Sequence, residues 1–154
     1  MSAHKASVRW GLDVDADAFV GRRYSRMHTL MFGDGLEVPG SPSPAVVPAP
    51  WSSEQAIDPE SAFVAALAAC HMLWFLDHAA RAGVVVTAYE DAAEGTLGRL
   101  ERGKFAMTRV VLHPKVEFAG GRQPTSEEIE ALHEKAHADC FIANSVTCEV
   151  VVEG

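Results

Sequence analysis

The chain has 154 residues, 48% of them hydrophobic and 22% charged, with a formal net charge of −8. That apolar content is enough for one domain-sized core and excludes an intrinsically disordered chain. The acidic balance argues against non-specific binding to nucleic acid or to an anionic membrane surface and points to small or uncharged substrates. The opening stretch, MSAHKASVRW, has no apolar core of a secretory signal, so a reducing cytoplasm is the expected location. Three cysteines in that setting are expected to be free or catalytic rather than stapling.

In chain order, residues 5–10 alternate loosely, and 22–32 carry Tyr, Thr, Met and Phe, so both read as strands of an antiparallel ribbon turned at Gly33-Asp34-Gly35. Residues 39–59 hold six of the eight prolines, which excludes a helix and disfavours a central strand; an extended arm is expected. About 38 residues precede this stretch, too few for a separate core, so the chain reads as a single domain: strands and proline-rich arm over 1–57, helix-sheet core over 58–154.

Asp58-Pro59-Glu60 is a helix start, with Asp as N-cap, Pro where no donor is needed and Glu at the positive end of the dipole. The helix should run to about residue 82 and stop at Gly83. Residues 62–76 are apolar on all faces, so this helix should be surrounded by protein on most sides. The run is interrupted by His71 and falls short of the roughly 20 residues a membrane span requires. Strands are expected at 84–89, 93–100 and 105–118, and a turn at Arg102-Gly103. Thr125 and Glu128 form a capping box that opens a second helix, with Ile129, Leu132, Ala136 and Cys140 on its inner face. Residues 146–152 close the chain as a strand. The order describes an α+β fold with a long buried central helix and a second helix on antiparallel sheet.

Two cysteines occupy contrasting settings. Cys70 lies within AFVAALAACHMLWFL and Cys140 closes the second helix in AHADCFIANS, an arrangement that points to a redox pair. Cys148, in TCEVVV, reads as packing. A rival reading takes His133, His137 and Cys140, spaced to share one helix face, as zinc ligands, with His28, His71 or a carboxylate as the fourth. The result would be a hydrolase or a metal-binding module. Against it, neither CxxC nor HExxH is present. His71 adjoins Cys70, but neighbouring helix positions point about 100° apart, so it reads as packing or lining rather than as a base for the thiol.

DPESAFVAALAACHM followed about 70 residues later by AHADCFIANSV resembles the paired cysteine motifs of the OsmC/Ohr family. YSRMHTLMFGDG, the SPSP segment, GVVVTAYEDAAEGTL and SVTCEVVVEG extend the similarity over nearly the whole chain. The resemblance implies an intertwined homodimer that reduces organic hydroperoxides through thiols, without haem, metal or other cofactor, in oxidative and osmotic stress defence. Cys70 would attack and Cys140 resolve, with a dithiol such as a protein-bound lipoyl group as reductant.

A desolvated thiol needs a cationic neighbour to ionise, and family members supply an Arg with a Glu partner. Motif position assigns the Glu to Glu60. The Arg is assigned to Arg26, with Arg22 and Arg23 in reserve. Ten helical residues separate Glu60 from Cys70 by about 15 Å, so Glu60 either precedes the helix and turns back or completes the site of a second subunit; the second arrangement is expected.

Overall fold

The computed structural model describes residues 2–153. They divide into two compact units, Met1–Ala62 and Phe63–Gly154. In the first, β1 (Ala6–Arg9), β2 (His28–Phe32) and β3 (Leu36–Gly40) form an antiparallel sheet with β2 in the middle. The β2–β3 turn falls on Gly33-Asp34-Gly35, with Phe32 opposite Leu36 and both glycines at positive φ, 52° and 115°. A side chain at either position would be strained there.

The expected strand over 22–32 is only half realised. A short helix, α1 (Ala16–Val20), precedes it, capped by Asp15, whose carboxylate accepts from Ala18 N at 2.8 Å. The chain then turns through Arg22, at φ 62°, and the strand begins at His28. Five residues of helix leave too short a period for the sequence pattern to report.

The proline-rich stretch is not an extended arm. Ile57 returns beside Gly40 as a parallel bridge, with Ser41 N donating to Ile57 O and Ile57 N to Pro39 O. Serine hydroxyls serve the backbone in between: Ser53 N donates to Ser41 Oγ, and Ser52 Oγ to Val47 O. With so few donors available, the segment satisfies its backbone locally and closes into a loop. Among the described residues of this unit only Gly40, Ser41 and Ser52 are buried, while Val8, Leu36 and Val20 are exposed.

α2 (Pro59–Arg81) starts as the sequence predicts, with Ser61 N and Ser61 Oγ both bonded to the Asp58 carboxylate at 2.9 and 2.7 Å. It ends at Gly83, φ 71°, where Val84 N reaches back to Ala79 O. At 23 residues it is long and apolar enough, by length and composition alone, to cross a membrane. One stripe of it is buried within the chain: Leu67, His71, Phe75 and Ala79, four residues apart. Leu73, on another face, is 62% exposed. The expectation of burial on most sides is therefore met on one face only within a single chain.

In the second unit, β4 (Val85–Asp91) pairs antiparallel with β7 (Pro114–Ala119). A separate sheet holds β5 (Glu94–Arg99), β6 (Phe105–Leu112) and β8 (Glu149–Val152), in which β5–β6 is antiparallel and β6–β8 parallel. The single strand expected over 105–118 is thus two strands in two sheets. The break is at His113, whose N donates to Asp91 Oδ1 at 2.7 Å, followed by Pro114, which has no donor to continue the β6 ladder.

α3 (Ser126–Asp139) opens with the complete Thr125/Glu128 capping box. It buries Leu132, His133 and Ala136 against Phe75, Ala79 and Val84. A second cluster joins Leu67 to Val110 and Leu112, with Cys148 packed against it. The long helix thus bridges both clusters, and His71 lies on its buried stripe between Leu67 and Phe75. The architecture is α+β, with antiparallel sheets and three helices.

Candidate active site

Cys70 sits in the middle of α2, partly buried, and Cys140 is the C-cap of α3, 0% exposed. The C-terminal end of a helix leaves carbonyls free. Here the turn that follows is fixed around the cap: Asn144 N donates to Cys140 O, Ala143 N to Cys140 Sγ at 3.4 Å, and Ser145 Oγ to Phe141 O. The thiols of Cys70 and Cys140 lie close enough to perturb each other, and both are reduced. Burial pushes the Cys140 thiol up to about 11, and the Cys70 contact adds to this, against the opposing Ala143 N–H. Cys140 therefore stays protonated at neutral pH.

Arg26 and Glu60 both lie in the Met1–Ala62 unit. The Arg26 guanidinium stands 4.1 Å over the Tyr24 ring and donates to Tyr24 O at 3.0 Å. With Val8, Trp10, Phe19, Tyr24 and His28 it lines a pocket of about 370 Å³. Arg22 and Arg23 are exposed beside the α1 turn. Glu60 is in the first turn of α2, and because that helix runs unbroken from Pro59 to Arg81, Glu60 cannot turn back onto Cys70 of its own chain. Among the described residues no ion pair includes Arg26 or Glu60.

The zinc arrangement is not formed. Among the described residues no three His, Cys, Asp or Glu side chains converge as metal ligands. Cys140 is engaged with Cys70 and Ala143, His133 Nδ1 lies 3.0 Å from His71 Nε2, and His28 Nδ1 lies 2.9 Å from Arg26 O. Helical spacing predicts His133, His137 and Cys140 on one side of α3, but His133 turns to His71 and Cys140 is buried beside Cys70.

Sequence reading missed two features. The first is the His71–His133 pair, buried with rings nearly parallel and centroids 5.3 Å apart. Burial, then the charges of His133 and His137, lower His71 to about 4, and burial lowers His133. The signal was available, since His71 falls four residues from both Leu67 and Phe75 on the apolar stripe. The second is a contact between helix ends: His78 Nε2 donates to Asp139 Oδ2 at 2.8 Å, and Trp74 packs on both His78 and Phe141.

The family model described as OsmC-like protein matches residues 52–153. An OsmC-like protein of unknown function from Vibrio cholerae is 50% identical over 99% of each chain, with a TM-score of 0.95. An organic hydroperoxide resistance protein from Elizabethkingia anophelis shares the fold at 21% identity, covering 100% of this chain and 97% of that one, with a TM-score of 0.73. The organic hydroperoxide resistance protein OsmC from Legionella pneumophila does so at 21% identity over 100% and 98%, with a TM-score of 0.69. No curated protein sequence matches significantly. With a family match over most of its length and a relative sharing half its residues end to end, the chain belongs to the OsmC-like family.

Proposed function

We propose that this protein is a thiol peroxidase that reduces organic hydroperoxides to alcohols. The observation that carries the reading is the proximity of the two thiols, in which a partly exposed Cys70 lies beside a fully buried Cys140 that burial holds protonated. That asymmetry supports Cys70 as the attacker. Its thiolate takes the terminal oxygen of the hydroperoxide, the O–O bond breaks, and the alkoxide leaves as alcohol after taking a proton. Cys140 then attacks the Cys70 sulfenic acid: the S–S bond forms, the S–O bond breaks, and the Cys140 proton departs with hydroxide as water. A dithiol reductant, such as a protein-bound lipoyl group, restores both thiols, in the reducing cytoplasm and under oxidative or osmotic stress.

The working species is a homodimer. Its support is the first unit, which buries no hydrophobic side chain among its described residues, and the single buried stripe of α2. A second copy would cover those apolar surfaces. Its Arg26 would stabilise the Cys70 thiolate, with Glu60 orienting the guanidinium.

Mass spectrometry before and after one equivalent of cumene hydroperoxide tests the reading. The expected result is loss of two free thiols and a Cys70–Cys140 disulfide, abolished in a folded Cys70→Ser variant. Unchanged thiols in the wild type, or turnover in Cys70→Ser, would refute it.

A further inference from the structure

Cys70, Trp74 and His78 are spaced four residues apart on α2 and so form one stripe along the helix, next to the buried Leu67–Ala79 stripe. The stripe meets three consecutive residues where α3 ends. Cys70 lies beside the Cys140 thiol. Trp74 meets Phe141 edge-on, with centroids 5.4 Å apart and planes at 86°. His78 donates to the Asp139 carboxylate at 2.8 Å, with the Trp74 ring stacked on its imidazole at 5.8 Å.

The location gives these contacts their significance. Cys140 has left helical geometry, with φ −66° and ψ 109°, so the α3 hydrogen-bond ladder no longer fixes the direction of its side chain. A disulfide tolerates little error, since it needs alpha carbons within about 7 Å and correctly aimed β-carbons. The residues on both sides of Cys140 are the ones α2 grips.

We propose that His78 and Trp74 are positioning residues for disulfide formation, clamping Asp139 and Phe141 so that the Cys140 sulfur is held against Cys70. The biological use of this clamp rests on the peroxidase reading; the geometry it imposes does not. The step it serves is attack of Cys140 on the Cys70 sulfenic acid, with water released and no further oxidant. Neither residue touches the hydroperoxide. Loss of the clamp should therefore separate the two half-reactions, leaving the first and slowing the second.

The test uses His78→Ala, Asp139→Asn and the conservative His78→Gln, whose amide N–H can occupy the place of Nε2–H. In His78→Ala, Cys70 oxidation by cumene hydroperoxide should keep its wild-type rate. Conversion of the sulfenic acid, followed by dimedone trapping, should slow roughly tenfold. In glutathione redox buffers the Cys70–Cys140 disulfide should become about tenfold easier to reduce, a shift of about 30 mV. Asp139→Asn should behave in the same direction, and His78→Gln should recover most of the loss. Wild-type resolution and disulfide equilibrium in His78→Ala, or equal impairment in His78→Gln, would overturn the clamp. If hydroperoxide fails to oxidise wild-type Cys70, the peroxidase reading falls, while the glutathione equilibrium still decides whether the clamp exists.

Discussion

Acid should weaken the joint between α2 and α3, because the His71–His133 pair is built to be neutral. His71 is 1% exposed and its Nδ1 has no partner. A buried N–H without an acceptor costs more than an idle lone pair, so the proton sits on Nε2 and is donated to His133 Nδ1. Folding lowers the His71 value from 6.5 to about 4. Between those limits the unfolded chain binds more protons than the folded one. The stabilisation is complete above pH 6.5 and is lost as pH falls towards 4. That gap of roughly 2.5 pH units, at about 1.4 kcal/mol each, sets a ceiling of about 3–4 kcal/mol. Such a loss is a large share of a typical total stability of about 5–15 kcal/mol.

The perturbation is His71→Leu, which removes the titrating ring. At pH 7.5 the variant should be weaker by about 1–3 kcal/mol, because His133 Nδ1 loses its donor. Between pH 6.5 and 4.5 its stability should fall less steeply than that of the wild type. Urea midpoints and slopes at fixed protein concentration, since association adds to apparent stability, give both curves. Their difference cancels the carboxylates that the two proteins share. Curves running parallel through that range would refute the reasoning.

Cys140→Ser should consume one equivalent of hydroperoxide and stop, with sulfenic acid at Cys70 detectable by dimedone and mass spectrometry. Mixing folded Arg26→Ala with folded Cys70→Ser should restore about a quarter of wild-type turnover, because half of the dimers are mixed and each has one complete site; no recovery would place the arginine within the same chain as its cysteine. Phe75→Ala, at a fully buried position between Tyr89 and His133, should cost about 3–5 kcal/mol in denaturant unfolding.

Local chemistry made much of the fold legible. Asp58-Pro59, Gly83 and the Thr125/Glu128 box each satisfy helix-end groups by a mechanism contained within a few residues, and each bounds its helix as read. What failed depended on pairing. The 105–118 run has strand-forming residues on both sides of Pro114, so only its partners could show that Pro114 hands the chain from the β5–β6–β8 sheet to β4. The proline-rich stretch looked extended because proline restricts its own φ; the bridge between Gly40 and Ile57 that closes it is seventeen residues away along the chain.

The candidate site divides in the same way. The cysteine positions followed from motif order, but the imidazole pair and the His78–Asp139 contact join residues 62 and 61 positions apart. No periodicity within one helix reports such contacts.

In the proposed cycle, the difference in exposure between the two cysteines would set the direction of recycling. An incoming thiolate can approach only the Cys70 half of the bond, since Cys140 is sealed at 0% exposure. The group expelled would then be Cys140, whose thiol burial pushes up, making it slow to depart as an anion. Turnover would be governed by the reductant's ability to deliver a proton along with its electrons, and the mixed disulfide trapped on the way would carry its adduct at position 70.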